Sequence, residues 1–253
     1  MAASEKPSAS RITARGCGQP WQGQLLPLAV AAVATLAVHL GLYAAARAGG
    51  VDQRSAVLAT LAAATLTAVL AGPLLAATGR TGISSVLRGA VVADVSGVTA
   101  VMLWLLTPYV GFVAAAKIYC TFAALAVFSI AAATCPSAPQ WRCVAAVATT
   151  LCLLGALASP FWIGGPLKAA DADTAGTIVA AAVYANPFYS ITSAVADRTR
   201  FVWHQGPIMY GMTRIGDYAL PPPVPWYAAS LTYGPLAAVL AASHLLRPRR
   251  YPA

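Results

Sequence analysis

SAVLATLAAATLTAVLAGPLLAAT, residues Ser55–Thr78, runs 24 residues without an ionisable side chain. A helix of that length is long enough to cross the roughly 30 Å hydrocarbon core of a bilayer. Outward from it, comparable runs occur at Leu25–Ala46, Gly89–Thr107, Tyr109–Ala133, Cys143–Gly164 and Trp226–Leu246. Composition agrees. Of 253 residues, 59% are hydrophobic and 9% charged, and the mean hydropathy is +0.70. Soluble domains carry about 25% charge, so a water-soluble fold of this size would lack polar surface. The expected fold class is all-α: a polytopic membrane protein of six transmembrane helices, with the lipid bilayer as its first partner.

The net charge of +9 raises nucleic acid as a partner, but the basic residues sit at the ends of apolar runs rather than along a stripe. With the N-terminus inside, the inner segments carry Lys6, Arg11, Arg15, Arg80, Arg88, Arg142, Arg247, Arg249 and Arg250, and the short outer loops carry Arg47 and Arg54. Nine against two sets both termini in the cytoplasm by the positive-inside rule, with the inner cell membrane as the location. No nucleic-acid partner is expected. The apolar run after the basic tail is too long for a signal-peptide core, so a retained first helix is expected, with Trp21 as an interfacial anchor. Cys17, Cys120, Cys135, Cys143 and Cys152 form no CxxC pair and read as small packing residues rather than a disulfide framework.

One long segment interrupts the series. Residues 165–225 read GPLKAADADTAGTIVAAAVYANPFYSITSAVADRTRFVWHQGPIMYGMTRIGDYALPPPVP and hold four of the chain's seven acidic residues. The chain thus divides into an N-terminal tail (1–24), a five-helix membrane part (25–164), an outer loop (165–225) and a sixth helix with a basic tail (226–253). Within the loop, Thr174–Ala185 is an apolar run too short to span and suited to an interfacial or re-entrant helix. Asn186-Pro187 breaks it, because proline disfavours helix at the preceding residue and removes a backbone donor. A second short helix is expected over Phe188–Ala196, giving an outer helical hairpin between the fifth and sixth spans. Pro221-Pro222-Pro223 makes a stiff lead into the last span.

Two ionisable residues fall squarely inside spans, Asp94 in the third and Lys117 in the fourth. Charge at the bilayer centre costs about 2.5–3.5 kcal/mol on insertion scales, so each calls for a partner or a function. The turn Thr107-Pro108-Tyr109 makes the two spans an antiparallel hairpin. The expectation is an interhelical polar pair or a polar element of a transport path, with Lys117 snorkelling as the simpler arrangement. His39, His204 and His244 offer no two ligands at one depth on facing helices, and there is no HExxH motif or carboxylate cluster, so no metal, haem or other cofactor is expected. Without a GxSxG elbow or a GxxxxGK[ST] loop, neither a serine hydrolase nor nucleotide hydrolysis by this chain is indicated. An enzyme using His204 with Asp197 or Asp217 is the weakest reading, and the chain is taken as a non-enzyme. Phe201, Trp203, Tyr210, Tyr218, Trp226 and Tyr227 read as an interfacial aromatic belt.

The six spans, the tail before the first, the two inward termini and the hairpin before the last span resemble a permease of the ABC-2 type. The local motif is Tyr184-Ala185-Asn186-Pro187-Phe188, similar to the small-residue stretch ending in Asn-Pro that such permeases carry in that hairpin. Where the family usually has a Glu-led cytoplasmic segment between the second and third spans, this chain has the basic Thr78–Arg88. The resemblance implies a dimeric or hetero-oligomeric exporter subunit powered by a separate ATPase. A docking helix over Ile83–Arg88 would receive the ATPase through Arg80, Ile83 and Arg88. Asn186, Pro187, Phe188, Trp203 and His204 would form an outer gate. The alternative from the residues alone is a non-transporting membrane anchor, since alanine-rich helix faces pack closely whatever their purpose.

Overall fold

The computed structural model describes residues 22–79, 82–136, 138–199 and 224–246. These are helical, with no strand among them: α1 (Gln22–Ala48), α2 (Gln53–Ala77), α3 (Gly82–Leu106), α4 (Phe112–Thr134), α5 (Pro139–Leu157), α6 (Ser159–Trp162), α7 (Gly164–Ala169), α8 (Ala172–Ala185), α9 (Pro187–Thr199) and α10 (Ala228–Leu245). Helices α1 to α5 are each long and apolar enough to cross a membrane, and α8 and α9 together pass the same test as one span bent by 79°. The apolar part of α10, Ala228–Ser243, is shorter than a full span. The described residues therefore offer five to six potential spans, the sixth being the bent pair α8 and α9.

The core lies among α2, α3 and α4. Leu61, Leu103, Ile118 and Phe122 are buried at its centre. Because lipid tails are as apolar as leucine, close contact rather than water exclusion has to hold such a bundle, and small residues permit it. Two glycines of α3 serve that end. A Cβ on Gly89 would overlap Ile130 of α4, and one on Gly97 would overlap the ring of Tyr119. On α2, Gly72 faces Ser129 of α4, with 3.3 Å between the position of a Cβ and the hydroxyl.

Helix starts follow their capping residues. Asp52 accepts hydrogen bonds from the Arg54 and Ser55 amides at the start of α2, and Asp171 accepts from Thr174 at the start of α8. Both meet orphan donors of a first turn. Hydrogen bonds from Ser55 and from Thr174 hold the Asp52 and Asp171 carboxyls below their ordinary range.

Three expected boundaries move. The separate docking helix at Ile83–Arg88 is absent; these residues are the first turns of α3, which continues unbroken through Gly89. The fifth span, expected to Gly164, ends at Leu157. Pro160 lies in the first turn of a new short helix there, a position that suits its fixed φ. Of the interfacial and re-entrant arrangements expected for the hairpin at 165–225, the packing suits the re-entrant one, because the segment lies within the bundle rather than over it. Ile191 and Val195 of α9 are fully buried in the same core as α2 and α4. A second cluster, including Ile163, Leu167, Val179 and Val183, joins α6 to α9 with the start of α10.

Candidate functional site

The most heavily constructed polar region is the break between α8 and α9. Asn186 is the only non-helical residue there and is 2% exposed. Its side chain serves two elements. Nδ2 donates to the carbonyl of Leu157, the last residue of α5, at 3.0 Å, and Oδ1 accepts from the Phe188 amide at 3.0 Å. Pro187 opens α9 where its missing amide would be an orphan in any case.

A helix end leaves carbonyls without partners, and in a bilayer no water can take them. Here side chains from other elements do so. The Ser159 hydroxyl donates to the Ala182 carbonyl at 3.3 Å, and the Tyr233 hydroxyl donates to the Ala185 carbonyl at 2.6 Å. The Thr232 hydroxyl, 2.9 Å from the Ala228 carbonyl of its own turn, also lies 3.5 Å from the Tyr184 carbonyl. In return, Ser190 of α9 accepts from the Ala229 amide in the first turn of α10, and Ser193 donates to the Val224 carbonyl. Five helices, α5, α6, α8, α9 and α10, thus satisfy one another's ends at a single junction.

Two ties fix the height of that junction. Arg142 of α5 donates to the Gly79 carbonyl just past α2, at 3.5 Å. Leu157 lies fifteen residues further (157 − 142), roughly 22 Å along α5. Cys135, just past α4, is 3.7 Å from Ser243 of α10. Ala229 lies fourteen residues back (243 − 229), roughly 21 Å along α10. Since α2 is 25 residues long, roughly 37 Å, the junction stands part-way up the bundle rather than beyond its end.

The two intramembrane charges do not meet. Asp94 is on the exposed side of α3, and its Oδ1 accepts a 2.5 Å hydrogen bond from the Tyr119 hydroxyl of α4. Gly97, one helical turn from Asp94, makes the room: the Tyr119 ring lies against it, which aims the hydroxyl at the carboxylate. Lys117, two residues from Tyr119, points the other way. Its Nζ lies 5.5 Å from the centre of the Trp226 ring, a cation–π arrangement that draws the ammonium toward the start of α10. Among the described residues neither charge has an ion-pair partner. Tyr119 was not singled out in the sequence, although Asp94-x-x-Gly97 marks a notch beside a carboxylate.

At the opposite end of α3, Ile83 is 76% exposed, and Arg88 donates through Nη1 to the Thr78 hydroxyl at 2.6 Å. Arg80 lies outside the described residues, as do Trp203 and His204, the basic tails and Pro221–Pro223. Phe188 stands in the first turn of α9 and is half-buried. Among the described residues no three His, Cys, Asp or Glu side chains are placed to hold a metal.

These features define an all-helical protein whose long apolar helices have the length and composition of multiple membrane spans. Protein-family models, curated proteins and solved structures were each compared with the chain, and none matches.

Proposed function

We propose that the chain is the membrane-spanning permease subunit of an ATP-driven exporter of the ABC-2 type. It sits in the cell membrane with both termini cytoplasmic and works as an oligomer with a separate ATPase. The observation that carries this reading is the bonded helix break at Asn186-Pro187, packed into the bundle against α5 and α10. A chain that only anchored a complex would have no use for a broken helix whose ends other helices must satisfy. In transporters such discontinuous helices lie near the membrane mid-plane, where small rotations open and close a path. The polar groups Asp94, Tyr119 and Lys117 line the adjoining hairpin, and the Ile83–Arg88 turn of α3 is the end on which an ATPase would push.

A non-transporting anchor is the second reading. The close Gly-mediated contacts of α3 with α4 favour it, since a static bundle needs the same faces. Purification in mild detergent separates the two. On the transporter reading, an ATPase with a P-loop co-purifies, ATP hydrolysis by the complex depends on this chain, and replacing Arg80 and Arg88 with Glu abolishes the association. A stable complex without nucleotide-dependent activity overturns transport and leaves the anchor.

A further inference from the structure

Helix α1 is 27 residues long, yet among its described side chains only His39 is buried. Val33 and Val38 are 67% and 69% exposed, against 2% for His39. The helix packs on α2 and α3, and the histidine reaches both. Nδ1 lies 2.9 Å from the Thr99 hydroxyl of α3, and Nε2 lies 3.0 Å from the Thr67 hydroxyl of α2.

Each of those hydroxyls also has a backbone carbonyl in reach. Thr67 is 2.9 Å from the Ala63 carbonyl and Thr99 is 2.9 Å from the Val95 carbonyl. A hydroxyl has one proton to give. When both threonines give theirs to the backbone, both ring nitrogens must be N–H donors, which is the imidazolium. When the ring is neutral, one threonine turns its proton to the bare nitrogen, and the carbonyl it leaves keeps its place in the helix ladder. The hydrogen-bonding shell therefore accepts both protonation states.

The charges around it do not. From Ser55 to Thr78, α2 has no ionisable side chain. On α3, Asp94 is engaged by Tyr119 on the exposed side toward α4, and Arg88 is bonded to Thr78 at the helix start. On α1 itself, the Tyr43 hydroxyl accepts from Gln53 and Arg47 donates to the Val51 carbonyl. Among the described residues a buried imidazolium here would have no opposite charge beside it, which is costly in an apolar medium.

We propose that His39 is a proton-binding site that latches α1: the neutral ring pins the helix to Thr67 and Thr99, and uptake of a proton releases it. The latch is independent of the transport reading.

Spin labels on Val33→Cys of α1 and Val127→Cys of α4, both exposed, in a chain stripped of its native cysteines, report the distance by pulsed electron resonance. At about pH 7.5 a single narrow distribution is expected. At about pH 5, below the ordinary histidine range near 6.5, a second, longer population should appear. His39→Gln, which bonds both threonines and does not titrate, should stay narrow at both pH values. His39→Leu should show the longer population at both. Thr67→Val with Thr99→Val keeps the ring, removes its partners and should match His39→Leu, which covers a failure of that variant to fold. A wild-type distribution unchanged by acid, or His39→Gln broadening as the wild type does, overturns the proposal.

Discussion

Replacing Asn186 with Ala removes both hydrogen bonds that close the helix break. The Leu157 carbonyl and the Phe188 amide lose their side-chain partner at a site only 2% exposed. Orphaning a buried polar group costs about 1–3 kcal/mol in soluble proteins. Hydrogen bonds between membrane helices average nearer 0.6 kcal/mol, because the reference state in a membrane also finds partners. Two groups between those limits give a loss of about 2 kcal/mol, or roughly thirtyfold in the folding equilibrium. Reversible unfolding in mixed micelles, titrated with a denaturing detergent, measures this directly. Asn186→Asp makes the test specific. It keeps an acceptor for the Phe188 amide but sets a carboxylate oxygen against the Leu157 carbonyl, so it should cost at least as much as Ala. A loss below about 0.5 kcal/mol for Ala, or wild-type stability for Asp, would refute the claim that Asn186 ties α5 to the break.

Tyr233→Phe leaves the Ala185 carbonyl without its 2.6 Å donor and should cost about 1 kcal/mol in the same unfolding assay; no change would mean the carbonyl is satisfied elsewhere. Gly97→Ala forces the Tyr119 ring out of its notch and should cost about 1–3 kcal/mol by overpacking. Adding Tyr119→Ala should recover most of that loss, and a purely additive double variant would sink the notch. At the start of α2, the depressed Asp52 carboxyl stabilises the folded state at pH values above its unfolded pKa. That contribution should disappear as pH falls through the lower, folded value. Asp52→Asn, which keeps the cap acceptor, should remove this part of the acid dependence as read by unfolding between about pH 5 and 2.

Much of the architecture was legible because a bilayer imposes length on any helix that crosses it. The uncharged Ser55–Thr78 run, the Thr107-Pro108-Tyr109 turn and the Asn186-Pro187 break each fall where the structure has a helix, a reversal and a bend. Ends were less legible. Leu157 through Phe161 is apolar almost throughout, and hydropathy does not register where backbone hydrogen bonds change partner; only Pro160 marks a new start. Gly89 looked like the first residue of a span, whereas it lies inside α3, against Ile130. Partners across helices were least legible. Counting residues gives the depth of Asp94 and Lys117 but not the rotation of their helices. Rotation gave the carboxylate to Tyr119 and the ammonium to Trp226. The threonines that surround His39 carry no periodic signal at all.

The bonded helix break also sets an order of assembly. The Ala185 carbonyl waits for Tyr233, 48 residues later in the chain, and the Ala229 amide closes on Ser190 in the same step. At about 5–20 residues per second of synthesis, the exposed break persists for several seconds after α8 and α9 have been made. During that time its carbonyls have to be kept near water or held by the insertion machinery. Helix α10 is therefore the one that closes the break, and a chain stalled before it would expose the same backbone groups that the folded bundle hides.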